Sequence, residues 1–270
     1  MLNTKVLTLL NEKGGVGKTT VSIHVAAGLA ARGYRVILID ADPQGSATSA
    51  LGMKKYDGLM RLVAQDEEWG KTTAELDPVK WARDGQAKGR LFLMPGHRNS
   101  IAIPMLLGDN MMILRDRIED VEADVVIIDT SPTPSPVHAL AYLASDYILF
   151  PTEAAFLSLD GLASSTHSMV RGNQARKANG LDAINLLGIQ PMKVRPRTLN
   201  HKDNLKNVRR HFGIDMVWQP IMNRIVWEDA TSAGRTIFAY QPERSQFDAQ
   251  NMAIAEMNRT IEKARRGMGL

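Results

Sequence analysis

Apolar positions along this chain fall into two alternating rhythms. Short, nearly unbroken apolar runs occur at 5–11, 35–40 (RVILID), 124–129 (DVVIID), 147–150 and 184–189. A strand with one wet face would alternate apolar with polar, so unbroken runs predict strands buried on both faces, as in a parallel sheet sandwiched by helices. Between the first two runs, segment 19–32 repeats Val21, Val25, Ala26 and Leu29 at helical spacing before Gly33 stops it. Strands alternating with helices predict an α/β fold with a doubly wound, mostly parallel sheet flanked by helices. Apolar residues are spread evenly over all 270 positions, which predicts one domain spanning 1–270. Residues 52–90 break the rhythm, being polar and interrupted by Gly58, Gly70, Pro78, Gly85 and Gly89, and are expected to form helices and surface loops. Segment 245–266 sets Ile254, Met257 and Ile261 on one side, a C-terminal helix expected to pack on the domain.

The turn between the first strand and the first helix carries the chemistry. Lys13-Gly14-Gly15-Val16-Gly17-Lys18-Thr19-Thr20 places three glycines where backbone amides must approach an anion, and a helix N-terminus behind them. The common phosphate loop, G-x-x-x-x-G-K-[ST], has a glycine where this chain has Glu12, and lacks the second lysine that this chain has at Lys13. Lys18 has the usual task of reaching the β- and γ-phosphates, and the Thr19 hydroxyl that of a Mg²⁺ ligand. Lys13 is therefore either solvated or reaches a phosphate from outside the loop. Asp129 ends the buried run VVIID, where a Walker B carboxylate holds Mg²⁺, usually through water. Asp40 and Asp42 follow the second strand two residues apart; one could act on Mg²⁺ or the attacking water while the other caps the next helix.

KGGVGKTT, DADPQGSAT, VVIIDTSP and PTEAAFLSLDGL, in this order, resemble the ParA/MinD superfamily of deviant Walker A ATPases, and among them the short ParA-type partition ATPases. The likeness runs from Lys5 to about Met257, with 53–120 contributing little, and the resemblance is to the short type, expected to lack a DNA-reading extension before the first strand. The resemblance implies a P-loop ATPase with ATP and Mg²⁺ as cofactors, sandwiched between the subunits of an ATP-dependent homodimer. Lys13 would cross to the partner's phosphates, Lys18 would hold its own, and Asp42 would position the hydrolytic water. Asp129 would be the Mg²⁺-linked carboxylate, so that Lys13, Lys18, Asp42 and Asp129 form the catalytic set and Thr19, Asp42 and Asp129 the metal set. Gly14, Gly15, Val16, Gly17, Lys18, Thr19 and Thr20 would cradle the phosphates. Thr130, Ser131 and Pro132 would form the switch segment, and Met192 and Lys193, with 220–223 nearby, would meet adenine. Guanine is disfavoured by the absence of an Asn-Lys-x-Asp tetrad.

Charge adds a further expectation. The net charge is only +4, but the sequence pI of 9.3 points to a basic face. Between Lys193 and Arg210 lie seven lysines and arginines and a single acid, Asp203. Lys202, Lys206, Arg209 and Arg210 recur at helical spacing and, with Arg224 and Arg235, are the expected contacts to non-specific double-stranded DNA. The resemblance further implies a ParB-like or adaptor protein that stimulates slow hydrolysis, and a cytoplasmic, nucleoid-associated switch that positions a plasmid, a chromosome origin or a protein assembly. A MinD-like membrane regulator using the basic C-terminal helix is the alternative, and a biosynthetic P-loop ligase a third. The 14 methionines and 6 histidines show no ligand spacing, and the absence of cysteine excludes disulfides and thiolate-bound clusters. No stretch approaches the ~20 apolar residues of a membrane-spanning helix.

Overall fold

The computed structural model describes residues 4–108, 110–133, 135–156 and 159–270. They form a seven-stranded sheet: β1 (Lys5–Leu9), β2 (Arg35–Asp40), β3 (Ala74–Glu75), β4 (Arg90–Met94), β5 (Val125–Asp129), β6 (Tyr147–Glu153) and β7 (Asn185–Met192). Their spatial order is β3-β4-β2-β5-β1-β6-β7, parallel throughout except for the short edge strand β3, which runs antiparallel to β4. Helices cover both faces in a single doubly wound domain.

The unbroken apolarity of the strands has the expected physical cause. Along β2, Val36 and Leu38 join the core on one face and Ile37 and Ile39 the core on the other, so both residue parities must be apolar. The first face is covered by the helix Lys18–Ala31 and the C-terminal helix Phe247–Gly267. In the latter Met257, Ile261 and Ala264 are fully buried. The two helices meet closely because Gly28 has no side chain: a Cβ there would lie 2.3 Å from Ile261 Cδ1. The opposite face is covered by Leu59, Leu62, Leu114, Ile118, Val137 and Leu140. A third cluster, with Phe150, Ile189 and Val208, seats the helix Leu199–Phe212 against β6 and β7.

The sheet extends further than the apolar runs alone suggest. β3 and β4 lie in or at the end of the segment read as helices and loops; β4 is short and follows a glycine-rich stretch, and β3 has two residues. β6 and β7 continue through Pro151 and Pro191, which lack an amide donor but whose carbonyls accept from Asn11 Nδ2 and the Ile221 amide. Within the PTEAAFLSLDGL motif, β6 gives way to a short 3-10 turn, Ala154–Phe156, and to the helix Leu159–Ala178, while Leu157 and Ser158 lie outside the described residues, as do Met1–Asn3 at the N-terminus. Strand register fixes the position of the site. Leu9 pairs with Asp129 and Asp129 with Asp40, so the carboxyl ends of β1, β5 and β2 present the phosphate loop and two carboxylates side by side.

Candidate nucleotide site

β1 leads into Asn11, whose side chain organises the turn. Its Oδ1 accepts the Lys13 amide (2.9 Å) and its Nδ2 donates to the Pro151 carbonyl (2.9 Å) and Thr152 Oγ1 (3.2 Å). The chain then takes left-handed conformations at Gly15 (φ 74°) and Gly17 (φ 94°). A Cβ on Gly17 would also sit 2.8 Å from Met192 Cε, so glycine is required there twice over. The helix Lys18–Ala31 begins with neither a side-chain cap nor an acidic first turn, leaving its positive end to face the loop. Lys18 is buried, and its Nζ donates across the loop to the carbonyls of Asn11 (2.8 Å) and Lys13 (3.1 Å). Burial lowers its pKa, opposed by the charges of Asp129 and Asp42. Lys13, by contrast, is exposed at the mouth of the loop.

The carboxylates divide their work. Asp129 is fully buried, and accepts from Thr19 Oγ1 (2.8 Å) and Ser22 Oγ (2.7 Å) on the first turns of the loop helix. Burial, with Asp40 beside it, pushes its pKa up to about 7 against those two hydroxyls and Lys18. Asp40 accepts the Thr48 amide (2.8 Å) and hydroxyl (2.6 Å), and so caps the short helix Ser46–Ala50. Burial holds its pKa up near about 6, with the Thr48 bonds opposing. Of the pair left open by spacing, Asp40 is thus the structural cap. Asp42 accepts the Gln44 amide (2.9 Å) and Ser46 Oγ (2.8 Å), an Asx turn that fixes its carboxylate near the loop.

Beside the loop opens a pocket of about 340 Å³, bounded by Gly17, Thr20, Met192, Lys193, Met222 and Trp227 among others. Lys193 lines it in a left-handed conformation (φ 53°) that a lysine adopts only under constraint from its surroundings. Behind the pocket, Glu256 from the C-terminal helix accepts the Met222 amide (3.0 Å) and pairs with Arg224 (2.8 Å). His24 ties the far wall to the loop helix: Nδ1 donates to the Thr20 carbonyl (2.6 Å) and Nε2 accepts the Ile237 amide (2.9 Å). Its ring meets Trp227 edge-on, and burial lowers its pKa to about 4, so it is neutral.

These residues fit a nucleoside triphosphate with Mg²⁺. The loop takes the positive φ that favours glycine at Gly15 and Gly17, and Thr19 with Asp129 supplies one hydroxyl and one carboxylate. Among the described residues no group of three or more His, Cys, Asp or Glu could hold a metal alone, which suits an ion held largely by phosphate oxygens and water.

Comparison with known proteins agrees. A family model described as an AAA domain matches residues 4–180. The chain is 31% identical over 266 residues to the chromosome-partitioning ATPase Soj of Thermus thermophilus, covering 98% of this chain and 100% of that one. The chain belongs to the ParA/MinD superfamily. The chromosome partitioning protein ParA of Caulobacter vibrioides is 30% identical, with 87% of each chain covered. The Cyanothece McdA–ATP complex has the same fold, with a TM-score of 0.76 at 18% identity over 100% of this chain and 98% of that one.

The basic positions of this ParA/MinD-type chain do not form one surface. Lys202, Lys206 and Arg210 lie exposed on the helix Leu199–Phe212, while Arg209 is half-buried with its Nε shielded from solvent. Arg224 does not join them; it faces the pocket and is paired with buried Glu256. Arg235 is half-buried, donating to the Ala239 carbonyl at 3.4 Å. Motif reading missed Asn11, Ser22, Trp227 and Glu256. Asn11 had a signal, a polar residue at the tip of a buried strand, whereas the others gain meaning only through partners distant in sequence.

Proposed function

We propose that the chain is an ATP-dependent dimerising switch that binds DNA without sequence preference and partitions or positions a cargo. A ParB-like or adaptor partner stimulates its slow hydrolysis of ATP to ADP and phosphate. The observation that carries this reading is the pairing of two lysines in one loop, Lys18 turned into the cradle and Lys13 exposed at its mouth. A cation at the mouth is placed to meet phosphates held by a second copy, coupling hydrolysis to dimerisation as an arginine finger does elsewhere. The amides of Gly14–Thr20 and Lys18 bind the β- and γ-phosphates, and Met192 and Lys193 border the base. Asp42 orients the attacking water. Thr19 and Asp129 would hold Mg²⁺, which when bound would supply charge neutralisation at the phosphates. Lys202, Lys206 and Arg210 offer the exposed cations for DNA phosphates. Such a switch acts in the cytoplasm on the nucleoid. The MinD-like alternative is less favoured, because Met257 and Ile261 of the C-terminal helix are already spent on the fold.

The test is DNA binding across a salt series with and without ATP. Replacing Lys202, Lys206 and Arg210 by Glu should abolish ATP-dependent binding without changing basal hydrolysis. Single neutral substitutions should flatten the slope of log K against log salt by about one each. Wild-type binding by the triple variant would overturn the DNA assignment. Binding to anionic vesicles in place of DNA would favour the membrane alternative.

A further inference from the structure

The loop departs from the common phosphate loop at two positions, and the function proposed above uses only Lys13. The other departure is Glu12, which occupies the place of the usual first glycine. Its two carboxylate oxygens accept separately, Oε2 from Ser164 Oγ and Oε1 from Ser168 Oγ. These serines lie four residues apart on the helix Leu159–Ala178 and therefore share a face, so the carboxylate is gripped at two points by one rigid element. Arg171 Nη2 donates to Ser168 Oγ (2.9 Å) and steadies the grip. Burial works to raise the Glu12 pKa, but the two hydroxyls with Arg171 and His138 outweigh it and keep the group below the usual carboxylate range. A charged acceptor makes such hydrogen bonds roughly twice as strong as neutral ones.

The next residue is Lys13, whose backbone is already held on its other sides: its amide donates to Asn11 Oδ1 and its carbonyl accepts from Lys18 Nζ. The direction left for Glu12 to fix is the one towards the helix Leu159–Ala178. Glu12 also borders a pocket of about 240 Å³ together with His138, whose Nε2 contacts the Ser131 carbonyl (3.1 Å) in the segment after Asp129. A glycine at position 12 has no side chain with which to make any of these bonds.

We propose that Glu12 is a positioning residue that anchors the mouth of the phosphate loop to the helix Leu159–Ala178 and so sets where Lys13 can reach. The inference rests on the reading of Lys13 as a residue that acts across a dimer. It assigns a regulatory route as well: a partner that displaces this helix moves Lys13 without touching the nucleotide.

The experiment compares Glu12→Ala, Glu12→Gln, Ser164→Ala/Ser168→Ala and Lys13→Ala in the full chain. Three quantities are read: the Kd of a fluorescent ATP analogue, ATP-dependent dimerisation by sedimentation, and single-turnover hydrolysis. Glu12→Ala and the double serine variant should each lower dimerisation and turnover about tenfold, because small misplacements of a reacting group are costly, and leave the Kd within about twofold. Glu12→Gln, which keeps an acceptor and a donor that the serines can match, should recover most of the loss. Combining Glu12→Ala with both serine substitutions should cost no more than Glu12→Ala alone, since all three remove one linkage. Multiplying losses, or wild-type behaviour of Glu12→Ala and of the serine pair beside an impaired Lys13→Ala, would overturn the anchor while leaving the reading of Lys13 intact. Wild-type behaviour of Lys13→Ala would overturn both.

Discussion

On the phosphate side of the pocket, the contacts that shape the site run between near neighbours in sequence, Asn11 to Lys13 and Lys18 and Asp40 to Thr48, or between segments that the paired strands β1 and β5 bring together, Asp129 to Thr19 in the helix after β1. On the base side they join segments far apart in the chain, such as His24 to Ile237 and Glu256 to Arg224 and Met222. The phosphate side is polar backbone and fixed charge, and a Cβ or a lost charge there damages chemistry. The base side is side-chain packing carried by the C-terminal helix, and damage there falls on stability and affinity. The two sides should therefore fail in different assays.

The largest effect is expected on the phosphate side. Asp42→Ala should lower single-turnover hydrolysis by about 10²–10⁴-fold, the range for losing a positioned general base. ATP affinity should change little, because the phosphate cradle Gly14–Thr20 is untouched. Asp42→Asn should keep the contact to the Gln44 amide (2.9 Å) and lose turnover equally, which separates chemistry from loop geometry. Near-normal turnover in both variants would remove Asp42 from the mechanism.

This division also explains what could be read from the sequence. The phosphate loop, Asp129 and the strand ends were legible because their geometry is dictated by residues adjacent in sequence and by buried runs such as Val125–Asp129 that tolerate no polar residue. Whether Asp40 or Asp42 caps the next helix was not legible from spacing; the answer lies in Thr48, which binds Asp40 through both amide and hydroxyl. Arg224 looked like one more cation near a basic segment, and only Glu256, 32 residues later, shows that it is an internal partner. β4 is hard to read from sequence because Arg90 and a preceding stretch with Gly85 and Gly89 mask a five-residue strand. Local rules reach as far as local contacts do.

The second prediction tests the base side. Glu256→Ala leaves the Arg224 guanidinium, 16% exposed, and the Met222 amide without their acceptor. Breaking one partner of such an enclosed pair costs about 3 kcal/mol, which for a chain of this size lowers Tm by roughly 6–12 °C. Affinity for ATP should fall while binding of Mg-pyrophosphate, which fills only the phosphate side, stays unchanged. Equal losses for both ligands would show that the two sides are mechanically one.

The smallest effect is a pH signature confined to the phosphate side. Asp129 has its pKa pushed up to about 7 and Asp40 to about 6, both mainly by burial, against 3.8 for an ordinary aspartate. Since the folded state holds these protons more tightly than the unfolded chain, the sign is fixed. Their contribution to stability is fully present below pH 3.8, is lost as pH rises towards 7, and is constant above. Because the two carboxyls interact, they titrate as a pair rather than one at a time. In nucleotide-free protein with EDTA, the difference in Tm between wild type and Asp129→Asn should therefore move against wild type as pH rises from about 4.5 to about 7.5. Mg-pyrophosphate, which under the proposed function would set a cation against Asp129, should remove that slope, whereas adenosine, which would fill only the base side, should leave it in place. A slope abolished by adenosine would mean that the base pocket reaches Asp129 electrostatically, and the division between the two sides would not hold.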